Sequence, residues 1–140
     1  MTLVVAAAVA VGIAVLDLVS KELVTRHLVE GRLAAVGDGI GLRRSHNDRG
    51  ALLALSPAQA AVAWVTVAGC AGLLLSRLPG SGWAVGVGLG MVLGGAAGNV
   101  AGRFIHGTVV DFVTAWRWPV FNLADAAMVA GLLLALWGVR

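Results

Sequence analysis

Hydrophobic residues in this chain run in long blocks, and the polar ones are gathered between them. Residues 50–76 carry no charge, and neither do residues 78–102. Residues 2–16 are uncharged as well, and Leu18 and Val19 carry that apolar run past Asp17. Residues 118–139 hold one charge, Asp125. A helix needs roughly 20 apolar residues to cross the hydrocarbon of a bilayer. The pattern therefore predicts four transmembrane helices, over about 2–20, 56–76, 82–102 and 119–139. The first block has no basic leader and no small-x-small site ahead of a soluble domain. It is read as a retained helix, not as a cleaved signal peptide.

Two connections remain. Residues 21–55 hold Lys21, Arg26, Arg32, Arg43, Arg44 and Arg49 against Glu22, Glu30, Asp38 and Asp48. Gly37, Gly39 and Gly41 surround Ile40, which predicts turns or short strands. The run "LVTRHLVEGRLAAV" suits a strand or an amphipathic helix equally. Residues 103–118 are half apolar and too short for another span with its turns. They are expected to form a re-entrant or interfacial segment, with Trp116 and Trp118 at headgroup level. Trp83 and Trp137 suit interface positions at other span ends.

Composition agrees with a membrane domain. The chain has 140 residues, 59% hydrophobic and 12% charged, with mean hydropathy +0.93. A soluble domain of this size cannot hide so much apolar surface. The net charge of +3 does not point to nucleic acid, because the basic residues lie between spans, where lipid headgroups are the expected partners. The single cysteine, Cys70, permits no internal disulfide and no cysteine metal cluster. His27, His46 and His106 are scattered, so no metal site and no cofactor are expected.

The third block carries glycine at 82, 86, 90, 94, 98 and 102. Each step of four turns roughly 40° past a full helical turn, so the glycines trace a slowly winding stripe. Such a stripe lets helix backbones approach closely. Packing inside one chain accounts for most of it, and a monomer is expected.

A few polar groups lie where water is scarce. Asp125 sits about six residues, roughly 9 Å, into the fourth block, at an order-of-magnitude cost of about 2.5–3.5 kcal/mol near mid-bilayer. Asn122 is three residues earlier, on the same face. Asn99 and Arg103 are four apart and share a face of the third block. Asp111 follows in the connection. Two acids brought together at a low-dielectric boundary cannot both ionise easily, so one proton is shared. The ionised member can then take a proton from water while the other polarises a carbonyl. The competing reading is structural: a helix cap, or partners for Arg103 or Arg117. Spacing alone leaves both open. Asp17 and Lys21 form an i,i+4 pair whose simplest reading is an ion pair at a helix end.

The run "GGAAGNVAGRFIHGTVVDFVTAWRWPVFNLADAA", residues 94–127, resembles the C-terminal half of the lipoprotein signal peptidases, or signal peptidase II. That family shows GN-x-x-D-R, G-x-V-x-D-F and F-N-x-A-D. The corresponding runs here are Gly98 to Arg103, Gly107 to Phe112 and Phe121 to Asp125. "DLVSK", residues 17–21, is similar to the family's D-Q-x-S-K, and "HNDRGALLAL", residues 46–55, to its N-x-G-A-A-F segment. The resemblance covers essentially the whole chain. It implies an intramembrane aspartyl endopeptidase of the bacterial cytoplasmic (inner) membrane. Such an enzyme cuts prolipoproteins just before a cysteine carrying diacylglycerol, without metal or cofactor. The catalytic acids map onto Asp111 and Asp125. Asn99, Asn122 and Arg103 map onto supporting residues, Asn47 onto a substrate contact, and Gly50, Asp17 and Lys21 onto the remaining motif positions. The family fold adds a small extracytoplasmic sheet, expected over residues 28–50. The fold class expected is thus an all-α membrane protein, one domain with four transmembrane helices and a small β or irregular subdomain between helices 1 and 2.

The chain departs from the family pattern in places. Gly102 stands where the family has an acid, the Asn47 segment has an extra residue before its glycine, Leu52 and Leu53 replace alanine and phenylalanine, and Leu18 replaces glutamine. The stretch from Asp111 to Asp125 is also short. These changes motivate the rival reading, a non-catalytic paralogue that binds lipoprotein or lipid. A channel or transporter subunit would want polar residues through several spans, and the second and third have almost none except Asn99. Orientation is contested too. Most Lys and Arg residues lie in the two connections, which the positive-inside rule assigns to the cytoplasm. The resemblance implies the opposite, with both termini inside and the acids near the outer face, and that topology is the one expected.

Overall fold

A computed structural model describes residues 2–47, 56–77 and 82–139. The elements run α1 (Thr2–His27), β1 (Leu33–Gly37), β2 (Ile40–Asn47), α2 (Pro57–Arg77), α3 (Trp83–His106), β3 (Val109–Ala115) and α4 (Leu123–Gly138). Helix α3 lies between α1 and α4, and its glycines explain why. A Cβ at Gly90 would stand 2.6 Å from the Ala6 carbonyl oxygen, and one at Gly98 would stand 2.5 Å from Asp17 Oδ2. Both belong to α1. On the other side, a Cβ at Gly88 would meet the Gly131 carbonyl at 2.5 Å, and one at Gly95 the Ala124 carbonyl at 2.5 Å. The stripe therefore serves packing within the chain, backbone against backbone. Helix α2 joins from the side, where the Trp64 indole donates to the Leu93 carbonyl at 2.9 Å.

The burial pattern is inverted relative to a soluble bundle. Helix α1 buries Ala6, Asp17, Lys21 and Val24 and exposes Leu3, Val4, Val11, Val15, Leu16, Val19 and Leu23. Helix α4 buries Ala124, Ala127, Gly131 and Ala135 and exposes Val129, Leu132, Leu133, Leu136 and Trp137. Small and polar groups face inward while large apolar ones face out, as a hydrocarbon solvent requires. Helices α1 and α3 are each long and apolar enough to cross a membrane, and α2 and α4 contain shorter apolar helical stretches. Trp83, Trp116, Trp118 and Trp137 are all exposed.

The chain is not all-α. Strands β1, β2 and β3 form one antiparallel sheet in that order. The first hairpin lies within the region expected to be strand or irregular, and Gly39, at φ 75, closes it. The ambiguous run after Lys21 divides: helix continues to His27, and strand begins at Leu33. Within 103–118, expected as a re-entrant or interfacial segment, the structure forms a third strand. Gly107, at φ 74, ends α3 in a left-handed cap. Val109, Val110, Phe112, Val113 and Thr114 then follow, β-branched or aromatic residues that suit a pleated surface. Strand β2 offers them an edge. Val110 and Phe112 bury against Val24 of α1, with Leu28, Leu42 and Leu123 alongside, so the sheet is fixed to the helices by its own apolar core.

Candidate active site

Strand β3 delivers Asp111, and α4 delivers Asp125. A register shift helps aim the first. Leu42 pairs with Val113 and Ser45 with Asp111, so β2 spends one extra residue opposite Phe112. A bulge of this kind bends the strand and redirects side chains. The chain then turns and folds back. Phe121 N–H donates to the Val113 carbonyl at 3.1 Å, and the Phe121 carbonyl accepts from Val113 N–H at 2.8 Å. This return places Asn122 beside Asp111 and starts α4 there.

Asn122 is completely buried and caps α4. Its Oδ1 accepts from Asp125 N–H at 3.0 Å, while Asp125 Oδ2 accepts a long 3.4 Å hydrogen bond from Asn122 N–H. This is a reciprocal capping box. Asp125 is thus a capping residue, one of the two readings that spacing left open. Asn122 Nδ2 donates to Asp111 Oδ1 at 2.8 Å and to Asn99 Oδ1 at 3.1 Å. Asn99 Nδ2 in turn donates to Asp125 Oδ1 at 3.0 Å. The two acids thus stand on either side of two asparagine amides. Asp111 is 4% exposed.

Asp17 and Lys21 are not the helix-end ion pair that spacing suggested. Both are 0% exposed, and Lys21 Nζ lies 2.6 Å from Asp17 Oδ2. Lys21 also donates to Asn99 Oδ1 at 2.8 Å, and Asp17 Oδ1 accepts from Ala124 N–H at 2.9 Å. The pair ties α1 to both α3 and α4. A signal for this was present in the spacing. Gly98 and Gly102 are four apart on the stripe, Asp17 and Lys21 are four apart on α1, and the two pairs face each other.

Other expected residues stand farther from this cluster or outside what can be described. Arg103 is half-buried one turn beyond Asn99 on α3. Asn47 ends β2, its backbone in register with Val109; its side chain and all of Gly50 lie outside the described residues. Gly102 is buried, and a Cβ there would sit 3.6 Å from Lys21 Nζ, so the position where the family has an acid faces the Lys21 ammonium. Sequence reasoning missed a second polar group, on the sheet side. His46 Nδ1 lies 2.7 Å from Glu30 Oε1, and Arg44 donates to the Thr25 carbonyl at 3.1 Å. The His46 hydrogen bond holds the Glu30 carboxyl below the usual glutamate range. A shallow concavity of about 390 Å³ lies over the sheet, lined by Ile40, Arg43, Thr114, Trp116 and Trp118 among others, and neither acid lines it. No group of three potential metal ligands occurs among the described residues.

The arrangement is two carboxyl groups linked by amides at the junction of sheet and bundle, with a buried cation behind them. Known proteins share its frame. A family model described as signal peptidase (SPase) II matches residues 9–139. The lipoprotein signal peptidase of Geobacillus kaustophilus is 35% identical over 133 residues, covering 90% of this chain and 86% of that protein. Those of Mycobacterium leprae and Xylella fastidiosa strain M12 are 36% and 42% identical, covering 85% and 64% of this chain. This chain spans 63% and 60% of their lengths. A bacterial membrane enzyme solved by the in meso method at 2.3 Å resolution superposes with a TM-score of 0.81 at 20% identity, covering 96% of this chain and 86% of that one. With the family model matching residues 9–139 of its 140, this chain belongs to the signal peptidase II family.

Proposed function

We propose that the protein is an intramembrane aspartyl endopeptidase that removes the signal peptide of bacterial prolipoproteins at the bond before the diacylglyceryl-modified cysteine. Asp111 and Asp125 are its catalytic acids. The observation that carries this reading is the shared hydrogen-bonding of both carboxyl groups to Asn122, at 2.8 Å for Asp111 Oδ1 and 3.4 Å for Asp125 Oδ2. A helix cap alone needs Asp125 and Asn122; it does not need a second buried acid on the neighbouring strand. Membership in the signal peptidase II family and the printed names of the relatives point the same way.

Four transmembrane helices, α1 to α4, hold this site near the outer face of the cytoplasmic membrane, with the sheet outside. The apolar outer faces of α1 and α4 support the placement of these helices in lipid. The lipid of the substrate cysteine stays in the bilayer while the peptide lies across the two acids. A water between them attacks the scissile carbonyl carbon. One carboxylate takes the water proton as the new C–O bond forms, and the other carboxyl gives its proton to the carbonyl oxygen. The tetrahedral intermediate then collapses: the C–N bond breaks, the departing nitrogen takes a proton from one acid, and a hydroxyl of the intermediate returns its proton to the other carboxylate as the product carboxyl forms. Asn99 and Asn122 hold the acids in place and need no chemistry of their own.

Asp111→Asn and Asp125→Asn are each expected to lower cleavage of a diacylglyceryl prolipoprotein by about 10³-fold or more, with the protein still in the membrane fraction. The shorter product band on a gel reports turnover. Wild-type protein that binds the substrate without shortening it, or full turnover by both variants, rejects the assignment.

A further inference from the structure

We infer that Lys21 is a positioning residue that sets the orientation of the Asn99 amide and, through it, the acid pair. The inference rests on reading Asp111 and Asp125 as the catalytic acids. An ammonium group has donors only. Its 2.8 Å contact with Asn99 must therefore be with the amide oxygen. The amide NH₂ then points the other way, toward Asp125 Oδ1 at 3.0 Å. An asparagine amide has nearly the same shape when its oxygen and nitrogen exchange places. Turned over, Asn99 would set a carbonyl oxygen against the Asp125 carboxylate and NH₂ against the ammonium. The buried charge of Lys21 forbids that state.

Lys21 is itself held still. It is 0% exposed, and Asp17 Oδ2 is 2.6 Å away. Asp17 is anchored by the Ala124 N–H at the start of α4. Only a glycine at 98 leaves room for the Asp17 carboxylate, since a Cβ would come within 2.5 Å of it. Asn122 is aligned by a different device, the Asp125 backbone N–H on its Oδ1. One amide is thus fixed by a helix terminus, and the other by a buried cation at 2.8 Å together with the first amide's Nδ2 at 3.1 Å. A pair needed only to join helices could be an apolar contact of similar volume, often at no loss of stability. A cation facing an amide that faces an acid has a further consequence, which is donor direction.

The test separates kcat from KM in turnover of a diacylglyceryl prolipoprotein by purified protein in micelles. Asp17→Asn/Lys21→Met removes both charges together, so no unpaired charge is left buried. It is expected to lower kcat about 100-fold with KM unchanged. Adding Asn99→Ala is expected to cost nothing more, because the two changes break one unit. Asn99→Asp keeps acceptors for Lys21 and Asn122 but withdraws the donor from Asp125. It is expected to lower kcat to a similar extent, and it can still overturn the inference if the charge-pair variant does not survive purification. Wild-type kcat in Asn99→Asp overturns the inference. So do losses that multiply to about 10⁴-fold, or a loss confined to KM. Wild-type protein without turnover, or an active Asp125→Asn, overturns instead the choice of acids, so the two failures are read apart.

Discussion

Asp17 and Lys21 carry a cost that their neighbours must offset. Removing a carboxylate and an ammonium from water costs several kcal/mol for each ion, order of magnitude, and their attraction recovers this only with good geometry and further hydrogen bonds. Here the geometry is good: a 2.6 Å contact, an amide oxygen on the cation and a backbone N–H on the anion. Removing one member leaves the other charge buried and unpaired. Lys21→Met alone is therefore expected to destabilise the protein by about 3–5 kcal/mol, read as a shift in the unfolding transition in detergent. Asp17→Asn/Lys21→Met is expected to recover most of that loss, because both charges go together. An equal loss in the two proteins would mean that shape, not charge, holds α1 in place. The sequence made Asp17 and Lys21 visible as a pair but not as a buried one, because i,i+4 spacing is the same on a wet face and a dry one. Burial depends on what the opposite helix presents, and that is a property of α3.

At the scale of the elements, the glycine stripe was legible because it needs only periodicity. Its partners were not, since a winding row of glycines does not say which helix lies on which side. Gly86, Gly90, Gly94 and Gly98 face α1, while Gly88 and Gly95, neither of them in the four-residue series, face α4. The stripe also ends in a place where contact loosens. A Cβ at Gly98 would stand 2.5 Å from Asp17 Oδ2, but one at Gly102 would stand 3.6 Å from Lys21 Nζ. Gly98→Ala is expected to lose about 1–3 kcal/mol through overpacking. Gly102→Ala is expected to stay level or to gain up to about 1 kcal/mol from alanine's helix preference. Parallel unfolding titrations of the two variants check the contrast, and equal losses would contradict the helix contacts described. Strand β3 was missed for a different reason. Its residues have the composition of a strand, but a strand requires a partner edge. That edge is β2, more than sixty positions earlier in the chain, so no local window contains both.

For the whole molecule, the arginines and the topology that the family resemblance implies make opposite statements. The positive-inside rule counts Lys and Arg in short loops and gives acids little weight. Several of the relevant cations here are already engaged: Lys21 with Asp17, Arg26 with Glu22 at 2.6 Å, and Arg44 with the Thr25 carbonyl at 3.1 Å. The same side of the molecule exposes Trp116 and Trp118, 81% and 72% accessible, at the turn that leads into Asn122. Indole rings of that kind anchor at the headgroup layer, where a lipidated cysteine would also be held. The outside placement can be tested on Arg117, which is exposed at that turn. In a Cys70→Ser background, Arg117→Cys in intact bacterial cells is expected to react with a membrane-impermeant maleimide before any permeabilisation. Labelling that appears only after permeabilisation would reverse the topology and put the acid pair on the cytoplasmic side, away from a substrate processed at the outer leaflet.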